Sequence, residues 1–62
     1  MKNKYLYDIT LDEQVVGNSG DMDFDTEAEA KADADDFISG ELSKEYNRNI
    51  SDFKILTYKS IY

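Results

Sequence analysis

Tyr5, Tyr7, Ile9 and Leu11 occupy alternate positions, with Asp8 and Thr10 between them. This period of two, rich in aromatic and β-branched residues, predicts a strand with one face buried. Asp12-Glu13 then predicts a tight turn, and Gln14 to Gly17, with Val15 and Val16, a returning strand that Gly17-Asn18-Ser19-Gly20 ends. An alternative pairing puts the turn at Asn18 to Gly20, with Met22 and Phe24 sharing one side of the returning strand. Asp52 to Tyr62 holds Phe53, Ile55, Leu56, Tyr58, Ile61 and Tyr62 and predicts a third strand. Its apolar residues begin on odd positions and continue on even ones, which requires either a bulge that switches faces or apolar cover on both faces.

Between the second and third strands the period changes. Thr26-Glu27-Ala28-Glu29 fits a capping box, in which the threonine side chain accepts from the Glu29 amide while the Glu29 carboxylate reaches back to the threonine amide. From there Ala30, Ala34, Phe37, Ile38 and Leu42 fall on one helical stripe, small residues first and large ones after. Gly40 weakens a helix interior, and in a straight helix Glu41 would point into the stripe, so a kink or break is expected near Gly40. A further helical stretch, Glu41 to Tyr46, ends at Asn47-Arg48-Asn49. The expected fold is α+β, one small ββαβ domain over residues 1–62. A three-stranded antiparallel or mixed sheet of order 2-1-3, joined by a right-handed crossover, packs under one helix. The expected core is Tyr7, Ile9, Leu11, Val15, Phe24, Ala34, Phe37, Ile38, Leu42 and Ile55.

Composition narrows the chemistry. The 62 residues include no cysteine and no histidine, so disulfides, Cys/His zinc sites and thiol or imidazole catalysis are excluded. A single-layer fold of this size has little volume in which to bury a carboxylate and raise its pKa, so the expectation is a protein that is not an enzyme and needs no cofactor. No run approaches the ~20 apolar residues of a membrane span, and the first residues lead into alternation rather than an apolar signal region, so a cytoplasmic protein is expected.

The net charge of -7 repels nucleic acid and anionic membranes, which leaves basic or neutral partners. Its placement is informative: eight acids and one base, Lys31, lie between Asp21 and Asp36, while the rest of the chain balances six acids against six bases. Asp21, Asp23 and Asp25 alternate as calcium ligands do, and Glu29 matches the ninth position of an EF-hand loop. Thr26 stands where that loop needs glycine and Ala32 where it needs a bidentate acid, which leaves only a weak metal candidate. On the helix, Glu29, Asp33 and Asp36 share a face away from Ala30 and Phe37 and span about 10 Å at ~1.5 Å per residue. Successive carboxylates then lie ~5–6 Å apart, near the phosphate spacing of one nucleic-acid strand. Asp21, Asp23, Asp25, Glu29, Asp33 and Asp36 are therefore the candidate contacts to a basic, nucleic-acid-binding protein. Tyr58 and Tyr62 are candidates for a second or dimer interface.

In size, acidity and α+β pattern the chain resembles the small antagonists encoded by phages and other mobile elements, including DNA mimics and anti-CRISPR proteins. The resemblance implies a protein inhibitor, and it lies in composition rather than in any motif. A homodimeric accessory or structural protein, with acids that serve solubility, is the alternative.

Overall fold

The computed structural model describes residues 3–61, with side chains for 4–60. β1 (Asn3–Leu11) is the central strand of an antiparallel sheet of order β2-β1-β3, between β2 (Gln14–Asn18) and β3 (Phe53–Ile61). Tyr7, Ile9 and Leu11 are buried, as the alternation predicts. β3 pairs with β1 without a break from Asn3↔Ile61 to Leu11↔Phe53, so no bulge switches its faces. Phe53 and Ile55 join the core, while Leu56 and Tyr58 lie on the other face, which the helix does not cover.

The hairpin closes on Asp12 and Glu13, both at positive φ (53° and 68°). A two-residue turn of this kind matches the right-handed twist of the strands, although only aspartate of the pair adopts that conformation readily. Because Leu11 pairs with Gln14, Val15 must face Thr10 on the open side of the sheet. Val15 is accordingly 59% exposed, a correction to its expected place in the core. Val16 is the extra residue of a bulge and packs against the core instead, and Gly17 then stands opposite Ile9. A Cβ on Gly17 would come within 3.2 Å of the Phe37 ring and 3.3 Å of Leu42, so glycine here admits the helix to the sheet.

The hairpin turns at Asp12-Glu13; the alternative hairpin turn at Asn18 to Gly20 does not form, and Phe24 lies further along β1 in the same direction as β2. The chain leaves β1 at Ser19 and returns at Phe24, which exchanges backbone hydrogen bonds of 2.9 and 3.1 Å with Tyr5. Ser19 fills the gap: its amide donates to the Tyr7 carbonyl (3.0 Å) and its hydroxyl accepts from the Tyr7 amide (3.3 Å). A buried amide would otherwise lack a partner here. Met22 stays exposed rather than sharing the inward side with Phe24.

Helix α1 (Glu27–Phe37) starts at Thr26, whose hydroxyl oxygen accepts from the Glu29 amide at 3.2 Å. The Glu29 carboxylate accepts from the Thr26 hydroxyl (3.1 Å), where a full capping box would use the Thr26 amide. Ala30 and Ala34 are wholly buried against the sheet. The helix does not break at Gly40. It continues through a wide π turn, Ile38–Leu42, into α2 (Ser43–Tyr46), with the Ser43 amide bonded to the Ile38 carbonyl five residues back. The widened turn buries Ile38 and Leu42 together and leaves Gly40 and Glu41 exposed, which removes the conflict a regular helix would face. Asn47, at φ 54°, ends the run as the sequence predicts. Arg48 then bonds Asp12 (2.8 Å) and Asp52 (3.1 Å), clamping the hairpin tip to the short 3-10 turn Ile50–Asp52 before β3. The guanidinium holds the Asp12 carboxyl below its usual pKa. The core closes on Tyr7, Ile9, Leu11, Ala30, Ala34, Ile38, Leu42 and Phe53, with Phe24, Phe37 and Ile55 half-buried at its edge.

Candidate acidic interface

The acids between Asp21 and Asp36 divide into two groups. Four have partners within the fold. Asp25 pairs with Lys4, a bond that raises the lysine pKa, and Glu27 accepts from the Thr57 hydroxyl on β3 at 3.0 Å. Glu29 caps α1, as described above. Asp33 is half-buried, and its Oδ2 accepts a 2.7 Å hydrogen bond from the hydroxyl of Tyr7, itself only 2% exposed. A buried tyrosine hydroxyl needs such an acceptor, and α1 comes close enough to supply one because Ala30 and Ala34 are small.

The other four, Asp21, Asp23, Asp35 and Asp36, are exposed, and among the described residues their side chains make no hydrogen bond or ion pair. Of the six expected contacts, Asp21, Asp23 and Asp36 thus remain fully available. Asp25, Glu29 and Asp33 also serve folding, and the expectation that Asp33 simply faces solvent is corrected by its bond to Tyr7. Near Asp36 the π turn forms a shallow, open hollow lined by Asp33, Asp36, Phe37, Gly40 and Glu41. A regular helix would bring Glu41 into conflict with the core; the wide turn brings it to the rim of this hollow instead.

The metal candidate is not assembled: among the described residues no group of three acidic side chains is placed to hold an ion, and Asp25 is turned to Lys4. Tyr58 lies on the open sheet face, far from the acids of α1 across the sheet, and Tyr62 falls outside the described residues. Among the described residues no helix is long and apolar enough to cross a membrane.

The Tyr7–Asp33 bond has a measurable consequence. Burial first, then the carboxylate beside it, pushes the Tyr7 hydroxyl pKa well above its ordinary value of about 10. The folded state therefore keeps a proton that the unfolded chain releases, so this contribution is complete below about pH 10 and is lost as pH rises beyond it. The Lys4–Asp25 pair weakens at alkaline pH as well. Urea midpoints measured from pH 8 to 11.5 should decline, and Tyr7→Phe should remove part of that decline; an unchanged slope would show that Tyr7 does not resist ionisation.

No family model matches this chain, nor does any curated protein or solved structure.

Proposed function

We propose that this protein binds a basic, nucleic-acid-binding protein through its acidic loop and helix, occupying the place of phosphates and so inhibiting it. The observation that carries this reading is the division of the acids: four are bonded within the fold, while among the described residues the side chains of Asp21, Asp23, Asp35 and Asp36 make no hydrogen bond or ion pair, Asp23 acting on Lys4 only at longer range. Concentrated like charge opposes compaction, and a basic partner bound to these acids would relieve that repulsion. Glu29, Asp33 and Asp36 follow one another along the helix at a spacing close to that of strand phosphates. Asp36, Phe37 and Glu41, which line one hollow, offer a place for a lysine or arginine side chain of the partner. In chemistry, this is the design of the small acidic antagonists of phages and mobile elements.

The test is a low-salt pull-down from a lysate, with an Asp21→Lys, Asp23→Lys, Asp36→Lys triple variant as control and nucleic acid as competitor. Wild type should retain a partner that DNA or RNA displaces, and the variant should not. Both should melt at nearly the same temperature, because exposed, unpaired positions contribute within ~0.5 kcal/mol each. The association rate should fall steeply between low and physiological salt while dissociation changes less. Recovery of the same partner by both forms, undisturbed by nucleic acid, rejects the reading.

A further inference from the structure

The sheet has one face without cover, and the chemistry of that face differs from the rest of the surface. Leu56 is 62% exposed, Val15 59% and Tyr58 41%, and the register places all three on the open side, with Leu6 directly opposite Tyr58. The same side holds Asp8, opposite Leu56, and Lys54, opposite Thr10. Among the described residues the side chains of Asp8 and Lys54 make no ion pair or hydrogen bond. Lys4, also on this side, is neutralised by Asp25. In a protein of net charge -7, the middle of the open face is thus near neutral, with Asp8 and Lys54 diagonal to one another, while at its hairpin end Lys54 shares a hollow with Asp12, Glu13 and Asp52, of which Asp12 and Asp52 are engaged by Arg48.

We propose that this face binds a second copy of the chain, packing sheet on sheet with Asp8 of each copy answered by Lys54 of the other. A twofold interface requires a surface complementary to itself, and one acid beside one base within an apolar patch meets that condition. A strongly basic partner would gain nothing from a neutral face. Two copies, in contrast, are repelled everywhere except where their acids are kept apart. Stacked sheets lie ~10 Å apart with the helices outside them, which separates the acidic helices by well over the ~8 Å Debye length at physiological salt.

The sheet edges offer no competing route. β3 carries Lys54 and Lys59 and no acid, so edge pairing of β3 with its copy would leave the lysines unanswered. β2 is five residues long and bulged at Val16. Strands of nine residues at ~3.3 Å each and ~4.8 Å apart give a face of ~400 Å² per copy, about half the ~800 Å² per partner of a standard stable interface. The dimer is therefore a weak one, formed at tens of micromolar and above. This inference does not use the acids of α1, which lie on the other side of the sheet; the loop acid Asp25 reaches the open face only at Lys4, away from Asp8 and Lys54.

Sedimentation equilibrium of the wild-type chain from about 10 μM to 1 mM tests it. The average mass should rise from 7.1 kDa towards twice that value. Leu56→Glu, at an exposed position, should weaken association roughly 100-fold, since every substitution enters a twofold interface twice, and should leave the thermal melt at low concentration unchanged. Asp8→Lys and Lys54→Asp should each weaken it, and the two together should restore it. A monomer throughout the range overturns the proposal, and so does a dimer that Leu56→Glu leaves intact.

Discussion

Replacing Ile38 by alanine should remove about 2–5 kcal/mol of stability, the range for truncating a buried aliphatic side chain to a methyl group. Ile38 is 1% exposed and sits at the start of the π turn, among Tyr7, Ile9 and Leu42 in the core. A domain of this size has only ~3–9 kcal/mol in total, so much of the population should be unfolded at room temperature. Phe37, one residue earlier, gives the contrast. The stripe alone would make it the helix's main anchor, and a fully buried phenylalanine would cost ~3–5 kcal/mol on truncation. In the structure its ring is half-buried and borders the open hollow, so Phe37→Ala should cost less than Ile38→Ala. Urea unfolding followed by circular dichroism gives the ranking; a larger loss for Phe37→Ala would mean that the hollow is closed in solution.

Ala34→Leu should be nearly as damaging, and for the opposite reason. Ala34 is wholly buried on the face of α1 that lies against the sheet. Three added carbons have no space between helix and strand, and overpacking of this kind costs about 1–3 kcal/mol even where the neighbours can shift. Here a shift has a second effect: moving α1 outwards draws Asp33 away from the Tyr7 hydroxyl and leaves a buried donor without its acceptor, at about 1–3 kcal/mol more. Ala34→Gly serves as the comparison, since it loses helix propensity of only about 1 kcal/mol and a small contact area. The expected order of melting temperatures is wild type, Ala34→Gly, Ala34→Leu. A leucine variant as stable as wild type would show that the helix stands further from the sheet than the burial of Ala30 and Ala34 implies.

Much of the fold is legible in local patterns. The alternation of Tyr5 to Leu11 marks the central strand, Asp12-Glu13 the turn and Thr26 the start of α1, and all three occur where they are expected. Val15 shows how a correct element can still carry a wrong face. The two-residue turn already pairs it with Thr10, and Thr10 alternates away from the core, so its exposure was implicit in the register. The role of Ser19 was less accessible. Within a Gly-Asn-Ser-Gly run it reads as an ordinary turn residue, and only the departure of the chain from β1 gives Tyr7 a buried amide for its hydroxyl to satisfy.

The acidic surface divides along the same line. That the excess charge is confined to Asp21 through Asp36 follows from the sequence, because counting needs no geometry. Which acids are already engaged does not follow, because their partners are remote in the chain: Lys4 for Asp25, Tyr7 for Asp33 and Thr57 for Glu27. The sequence by itself determined the elements, their order and the sign and place of the charge, since each arises from neighbours within a turn or along a strand. The tertiary structure alone decided that the irregularity expected near Gly40 is a π turn, the burial of Ile38 over Phe37, the open face shared by Leu6, Leu56 and Tyr58, and which acids of the window are bonded within the fold. These are set by how closely a helix can lie on a sheet, a distance fixed jointly by Gly17, Ala30 and Ala34 from separate parts of the chain.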